Sequence, residues 1–123
     1  MKNNRLFGAR GEYWAARFLQ EKGYKILEKN FRNKLGEVDL IVKDKGTVCF
    51  VEVKVRMSTA FGMPFEAVHY RKQKKLAQLA QSYLKFKFHT VNIFSRFDVI
   101  SILIDGDNKP CITHIPNAFD LSA

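Results

Sequence analysis

Val48-Cys49-Phe50-Val51-Glu52-Val53-Lys54-Val55 is an apolar run interrupted by one acid and one base. A stretch this rich in Val and Phe predicts a strand buried on both faces. Strand alternation sets Glu52 and Lys54 on one face. A carboxylate and an ammonium on a buried strand cost free energy unless something there uses them. Upstream, Asp39 lies in a second apolar run, Val38-Asp39-Leu40-Ile41-Val42. Asp44-Lys45-Gly46 between the runs is a hairpin turn, so the two strands are expected to pair antiparallel.

Outward from this pair, residues 8–22 predict a helix, with Ala15, Phe18, Leu19 and Lys22 at helical spacing. Gly23 closes it. Tyr24 to Asn30 is expected as a short strand, followed by a polar turn at Arg32-Asn33-Lys34. The Asp39 strand runs from about Glu37 to Lys43. Residues 57–66 form a loop, broken by Gly62 and Pro64, that carries Met57, Phe61, Met63 and Phe65. A second helix spans 66–87, with Val68, Lys72, Leu76, Leu79, Ala80, Tyr83 and Leu84 on one face. Arg96 to Ile104 is an interior strand. Asp105-Gly106-Asp107-Asn108 turns the chain into a last short strand, Cys111 to Ile115, and the tail after Pro116 is expected to be irregular. The order α-β-β-β-α-β-β describes one α/β domain over residues 1–123, core about 8–115, with a mixed sheet flanked by helices.

Lys and Arg number 21 against 12 Asp and Glu, a net charge of +9. That excess suits a polyanionic partner, nucleic acid above all, although a generally basic surface meets it equally. The bases cluster, most densely at Arg71-Lys72-Gln73-Lys74-Lys75. Cys49 and Cys111 form no ligand-spaced unit and are expected as buried free thiols of a cytoplasmic protein. His69, His89 and His114 are scattered, which gives zinc little support. The N-terminus lacks the apolar core of a signal peptide. The longest apolar stretch, Val99 to Ile104, is too short to cross a bilayer, so no membrane partner is expected.

Taken singly, the charged residues of the apolar runs have ordinary explanations. Asp39 suits a solvated edge strand, though Ile41 shares its face by alternation. Glu52 and Lys54 suit a structural pair. Glu12 suits a helix-start acid favoured by the macrodipole, yet it falls in phase with Ala15 and Leu19 and is expected to face the sheet, with Gly8 and Gly11 leaving room beside it. Lys72 lies between Val68 and Leu76 in the apolar stripe of the second helix, whereas Lys74 points to solvent. Glu37 stands at the strand entrance, capping the Gly36 turn or supporting the site. Arg96 and Asp98 are candidates to pair with the site.

Together, an acid on one strand and Glu-x-Lys on the next form the constellation of a metal-dependent nuclease. Carboxylates are hard oxygen ligands that hold Mg2+ or Mn2+ beside a phosphodiester. The metal activates water and shields charge growing on the phosphate. Asp39 and Glu52 are the expected ligands, with Glu12 completing the set or acting from outside it and the Val53 carbonyl as a further ligand. Lys54 is the expected catalytic lysine, stabilising the transition state, and Lys72 points at the same cleft. Arg56, Arg71, Lys72, Lys74 and Lys75 are the expected nucleic-acid contacts.

These residues resemble the PD-(D/E)xK nuclease superfamily, written here as Val38-Asp39 and Glu52-Val53-Lys54, with valine where the superfamily's name has proline. A wider pattern includes Gly11-Glu12, Gly23-Tyr24, Asn30, Gly36-Glu37-Val38-Asp39-Leu40-Ile41, Phe50 to Lys54, Arg56, Gly62, Pro64, Lys72 and Arg96-Phe97-Asp98-Val99. It is similar to the YraN-type family of small uncharacterised bacterial proteins over nearly all of residues 8–104. The resemblance implies a restriction-endonuclease-like fold similar to archaeal Holliday junction resolvases, with Glu12, Asp39, Glu52 and Lys54 at the active-site positions. The expected function is that of a metal-dependent endonuclease acting on DNA ahead of RNA, on branched or repair substrates. The alternatives are a non-catalytic nucleic-acid-binding module with the same fold and a basic protein-interaction module. Resolvases of similar fold act as dimers, and the apolar loop 57–66 offers a surface for a homodimer.

Overall fold

The computed structural model describes residues 3–57, 70–107 and 109–119, and the side chains of all of these except 3–9 and 70. Helix α1 (Asn3–Glu21) leads into β1 (Lys25–Asn33), β2 (Gly36–Asp44) and β3 (Thr47–Arg56). Helix α2 (Tyr70–Phe88), β4 (Ser95–Ile104) and β5 (Pro110–Phe119) follow. The expected order of elements holds. The five strands form one sheet in sequence order. Every neighbouring pair is antiparallel except β3 and β4, which are parallel and joined through α2. A parallel pair needs such a crossover because a tight hairpin cannot connect it.

Alternation along β3 divides the core. Val48 and Phe50 pack with Leu76, Leu79, Ala80 and Tyr83 of α2. Cys49 and Val51 pack with Ala15, Ala16 and Leu19 of α1. The helices therefore cover opposite faces of the sheet, and β3 is buried on both, as its unbroken apolar pattern requires. Gly11 sets the distance of α1 from the sheet. A Cβ there would clash with Val55 Cγ2, so the missing side chain lets the helix lie against the C-terminal end of β3.

Several expectations shift. Helix α1 starts at residue 3 instead of 8. Lys22 does not belong to the buried stripe. It follows the helix end, is exposed, and reaches the His114 ring Nδ1 at 3.0 Å. Strand β1 extends beyond Asn30 to Asn33. The last strand runs through Pro116 to Phe119 instead of stopping at Ile115; an edge strand tolerates proline because its outward side needs no N–H. Cys49 is buried, but Cys111 on that edge strand is exposed, so only one of the expected buried thiols is buried. Residues 58–69, with the apolar loop and Val68, lie outside the described residues. Among the described residues, no helix is long and apolar enough to cross a membrane.

Candidate functional site

The antiparallel ladder between β2 and β3 runs from Asp44↔Thr47 to Leu40↔Val51 and ends there. Asp39 and Glu52 are the next residues on each strand. The face order of β2 also breaks at this point. Leu40 packs with the α1 core and Val38 with the α2 core, although strict alternation sets them on one side. On the neighbouring strand the β1–β2 pairing passes from Lys29↔Leu40 to Phe31↔Val38 across Asn30, whose φ is 52°. The departure from regular sheet geometry therefore involves both strands. It frees the Asp39 side chain to turn into the gap beyond the ladder's end.

There its carboxylate accepts the Val53 N–H at 2.7 Å. A side chain thus does what a β2 carbonyl would do if the ladder continued. Within an extended strand, the N–H and C=O of one residue point the same way. The Val53 carbonyl therefore also faces the Asp39 side.

Burial pushes the Asp39 carboxyl up to about 7, and the nearby Glu52 charge pushes in the same direction. The Val53 amide and Lys72 oppose the rise, while Glu12 adds to it. The charges acting on Asp39 therefore come from β3, from α1 and from α2. Glu12 and Lys72 belong to helices on opposite faces of the sheet, and both reach the Asp39 region because β2 and β3 separate there. The sequence expectation gathers Glu12, Asp39, Glu52 and Lys54 in one cleft; the charges that act on Asp39 are those of Glu52, Glu12 and Lys72. The face argument behind that expectation needs correction, since alternation fails at Asp39.

Glu52 is buried, and its carboxylate accepts from the Lys72 ammonium, which remains half in solvent. Lys54 lies two residues further along β3, half-buried, with no hydrogen bond or ion pair among the described residues. Alternation gives it the face of Glu52. Glu37 is exposed and bound to Arg32 at 2.9 Å.

Asp39, Glu52 and the Val53 carbonyl form a set of hard oxygen donors. Among the described residues, no three His, Cys, Asp or Glu side chains are gathered as a closed cation site. Oxygen donors of this kind have the chemistry that hard divalent cations prefer.

The expected nucleic-acid contacts divide. Arg71, Lys72, Lys74 and Lys75 are exposed on the first turns of α2. Arg71, Lys72 and Lys75 line a cavity of about 540 Å3 together with the β1–β2 turn. Arg56 is exposed at the end of β3, its guanidinium donating to the Val55 carbonyl at 3.3 Å.

Arg96 and Asp98 do not join the site. The Arg96 guanidinium donates to Asp98 at 3.0 Å, to the Tyr24 hydroxyl at 2.7 Å and to Asp44 at 3.4 Å. Asp98, fully buried, also contacts the His114 ring Nε2 at 2.8 Å and accepts from the Asn117 N–H at 3.0 Å. Burial alone would raise the Asp98 carboxyl, but these donors hold it below the usual carboxylate range. Sequence reasoning found Arg96 and Asp98 but missed His114, Tyr24 and Asp44 as their partners. No local spacing connects residues so far apart in the chain.

The fold and the site define an α/β domain with two adjoining carboxylates and two lysines where its central antiparallel ladder ends. The chain belongs to uncharacterised protein family UPF0102, whose model matches residues 11–102. This agrees with the YraN-type membership expected from the motifs. The chain is similar to a UPF0102 protein of Syntrophomonas wolfei, 49% identical over 118 residues, covering 94% of this chain and 99% of the relative. A UPF0102 protein of Trichlorobacter lovleyi is 46% identical over 123 residues, covering 98% and 95%. One from Caldanaerobacter subterraneus subsp. tengcongensis is 44% identical over 122 residues, covering 95% and 97%.

Proposed function

We propose that this protein is a metal-dependent nuclease acting on DNA, related to the PD-(D/E)xK superfamily and to Holliday junction resolvases. The observation that carries this reading is the Asp39 carboxylate, held by the Val53 amide beside Glu52 and pushed up to about 7 by burial and by that neighbour. Carboxyls raised by burial and by a neighbouring acid are concentrated at functional sites, where such perturbed groups are used.

Asp39, Glu52 and the Val53 carbonyl would hold Mg2+ or Mn2+, with Glu12 acting on the same site from α1. A bound divalent ion supplies an activated water and shields the phosphate charge. Lys54 lies two residues beyond Glu52 on the same face of β3, and its ammonium is assigned to the negative charge that develops on the phosphoryl oxygens. The Lys72 ammonium contacts Glu52 and is assigned to the scissile phosphate or its neighbour when substrate is bound. Arg56, Arg71, Lys74 and Lys75 extend the positive surface along the strand. The free thiols of Cys49 and Cys111 agree with a cytoplasmic setting.

One observation favours a second reading. The Lys72 ammonium already satisfies Glu52, as it would in a non-catalytic nucleic-acid-binding module that has no metal. The deciding experiment is a cleavage panel of duplex, single-stranded, flap and four-way-junction DNA and of RNA, with Mg2+ or Mn2+. Metal-dependent cleavage of at least one DNA, lost in Asp39→Asn, is expected. No cleavage of any member, with DNA binding intact, would establish the binding module instead. Size-exclusion chromatography with and without a junction tests the homodimer.

A further inference from the structure

The cavity between the β1–β2 turn and the start of α2 has a composition that the phosphodiester chemistry does not require. Its floor is Leu76, Leu79 and the half-exposed Leu35. Arg71, Lys72 and Lys75 stand along its rim. The rim acid Glu37 is engaged by Arg32, so the cavity presents a net positive edge over an apolar base. Lys72 belongs to both places: it lines the cavity and its ammonium contacts Glu52. The groove therefore opens directly beside the carboxylate site.

An apolar floor with a cationic rim fits a ligand with an apolar face and anionic links on either side. Paired DNA buries its base faces in the stack and offers a protein only backbone and groove edges. A duplex would meet the rim and leave the floor empty. An unpaired nucleotide offers a base face to the floor and its phosphates to the rim, as apolar pockets for extruded bases do. The size agrees. About 540 Å3 falls in the range of roughly 300–1,000 Å3 typical of pockets for single small ligands.

We propose that this groove is a subsite for one unpaired nucleotide of the substrate strand, adjoining the Asp39–Glu52 site. The proposal rests on the nuclease reading for the identity of the polymer. It gives that reading a substrate class: DNA with a single-stranded element next to the scissile phosphate, as at a branch, gap or tail. Leu35 is the discriminating residue, because it is the floor residue that can be changed without opening the core.

The test is fluorescence anisotropy in chelator, with a labelled blunt duplex and the same duplex carrying a short unpaired tail. Wild-type protein is expected to prefer the tailed DNA by about tenfold, the scale of one base contact. Leu35→Ser is expected to cut that preference at least about threefold and to leave blunt-duplex affinity unchanged, whereas Leu35→Phe, with its larger apolar surface, retains the preference. Circular dichroism melts confirm that both variants fold. Equal binding of the two DNAs by wild type, or an undiminished preference in Leu35→Ser, overturns the proposal. Cleavage is not read here, so either result leaves the nuclease reading standing. Conversely, an intact tail preference with no cleavage in the metal panel removes the nuclease reading and keeps the groove as a binding site.

Discussion

The Asp39 carboxylate is fixed by one main-chain amide and crowded by two other carboxylates, and its titration should be visible in stability. Its folded value, about 7, lies above the unfolded value of about 4. The folded chain therefore holds this proton longer. Its contribution is most favourable below the unfolded value and is lost as pH rises through about 7. In chelator, wild-type protein is expected to lose Tm between pH 5 and pH 8 relative to Asp39→Asn, by at least about 3 °C. Asparagine keeps an oxygen for the Val53 amide, so the comparison isolates the charge. Parallel melting curves for the two proteins would show that Asp39 is ionised in the fold throughout. Lys54 is argued from chemistry rather than packing. Lys54→Ala is expected to slow cleavage on the best substrate by about 10²–10³, the loss seen when one donor to developing charge is removed, with DNA affinity within about twofold because several phosphate contacts remain. Wild-type turnover in this variant would remove Lys54 from the mechanism.

Two elements depend on single residues. Helix α1 lies against β3 only because Gly11 has no side chain opposite Val55. Gly11→Ala gains up to about 1 kcal/mol of helix propensity and loses about 1–3 kcal/mol to overpacking, so the midpoint of urea unfolding is expected to fall. Adding Val55→Ala should restore part of it if the contact is the cause. A more stable Gly11→Ala protein would mean that α1 shifts freely. At the other end of the sheet, Asp98 ties β4 to Arg96, to His114 on β5 and, through Arg96, to Tyr24 and Asp44. Its carboxyl is lowered, so its contribution is present above the ordinary carboxylate range and fades as pH falls below it. Asp98→Ala leaves the Asn117 N–H and the His114 ring without their acceptor and Arg96 with only Asp44 and Tyr24, and is expected to cost about 1–3 kcal/mol at pH 7. A wild-type urea midpoint would show that this network is ornamental to the fold.

On the scale of the whole molecule, the proposed nuclease reading and the net charge of +9 together predict DNA binding dominated by phosphate contacts. Affinity for DNA is expected to fall steeply with salt, and Lys74→Glu with Lys75→Glu to reduce the salt slope by about 1 per lost contact. Salt-insensitive binding would point to a protein partner. Mn2+ at a hundred times its Kd is expected to stabilise the fold by about 2.7 kcal/mol, with no such gain in Asp39→Asn. Much of this molecule was already determined by the sequence alone. The unbroken apolar run of β3 requires cover on both faces, the Asp44-Lys45-Gly46 turn pairs it with β2, and helical spacing marks the stripes of α1 and α2. These signals are local, within reach of a few residues' sterics and burial. The same reach made Glu52, Lys54 and Asp39 conspicuous as charges in apolar strands. The tertiary structure alone decided where β2 leaves β3. That separation breaks the alternation at Asp39 and admits α1 and α2 charges from opposite faces. It also decided the Asp98 network and the groove beside Lys72, because each joins residues far apart in the chain whose meeting depends on how the whole sheet twists and on which helix covers which face.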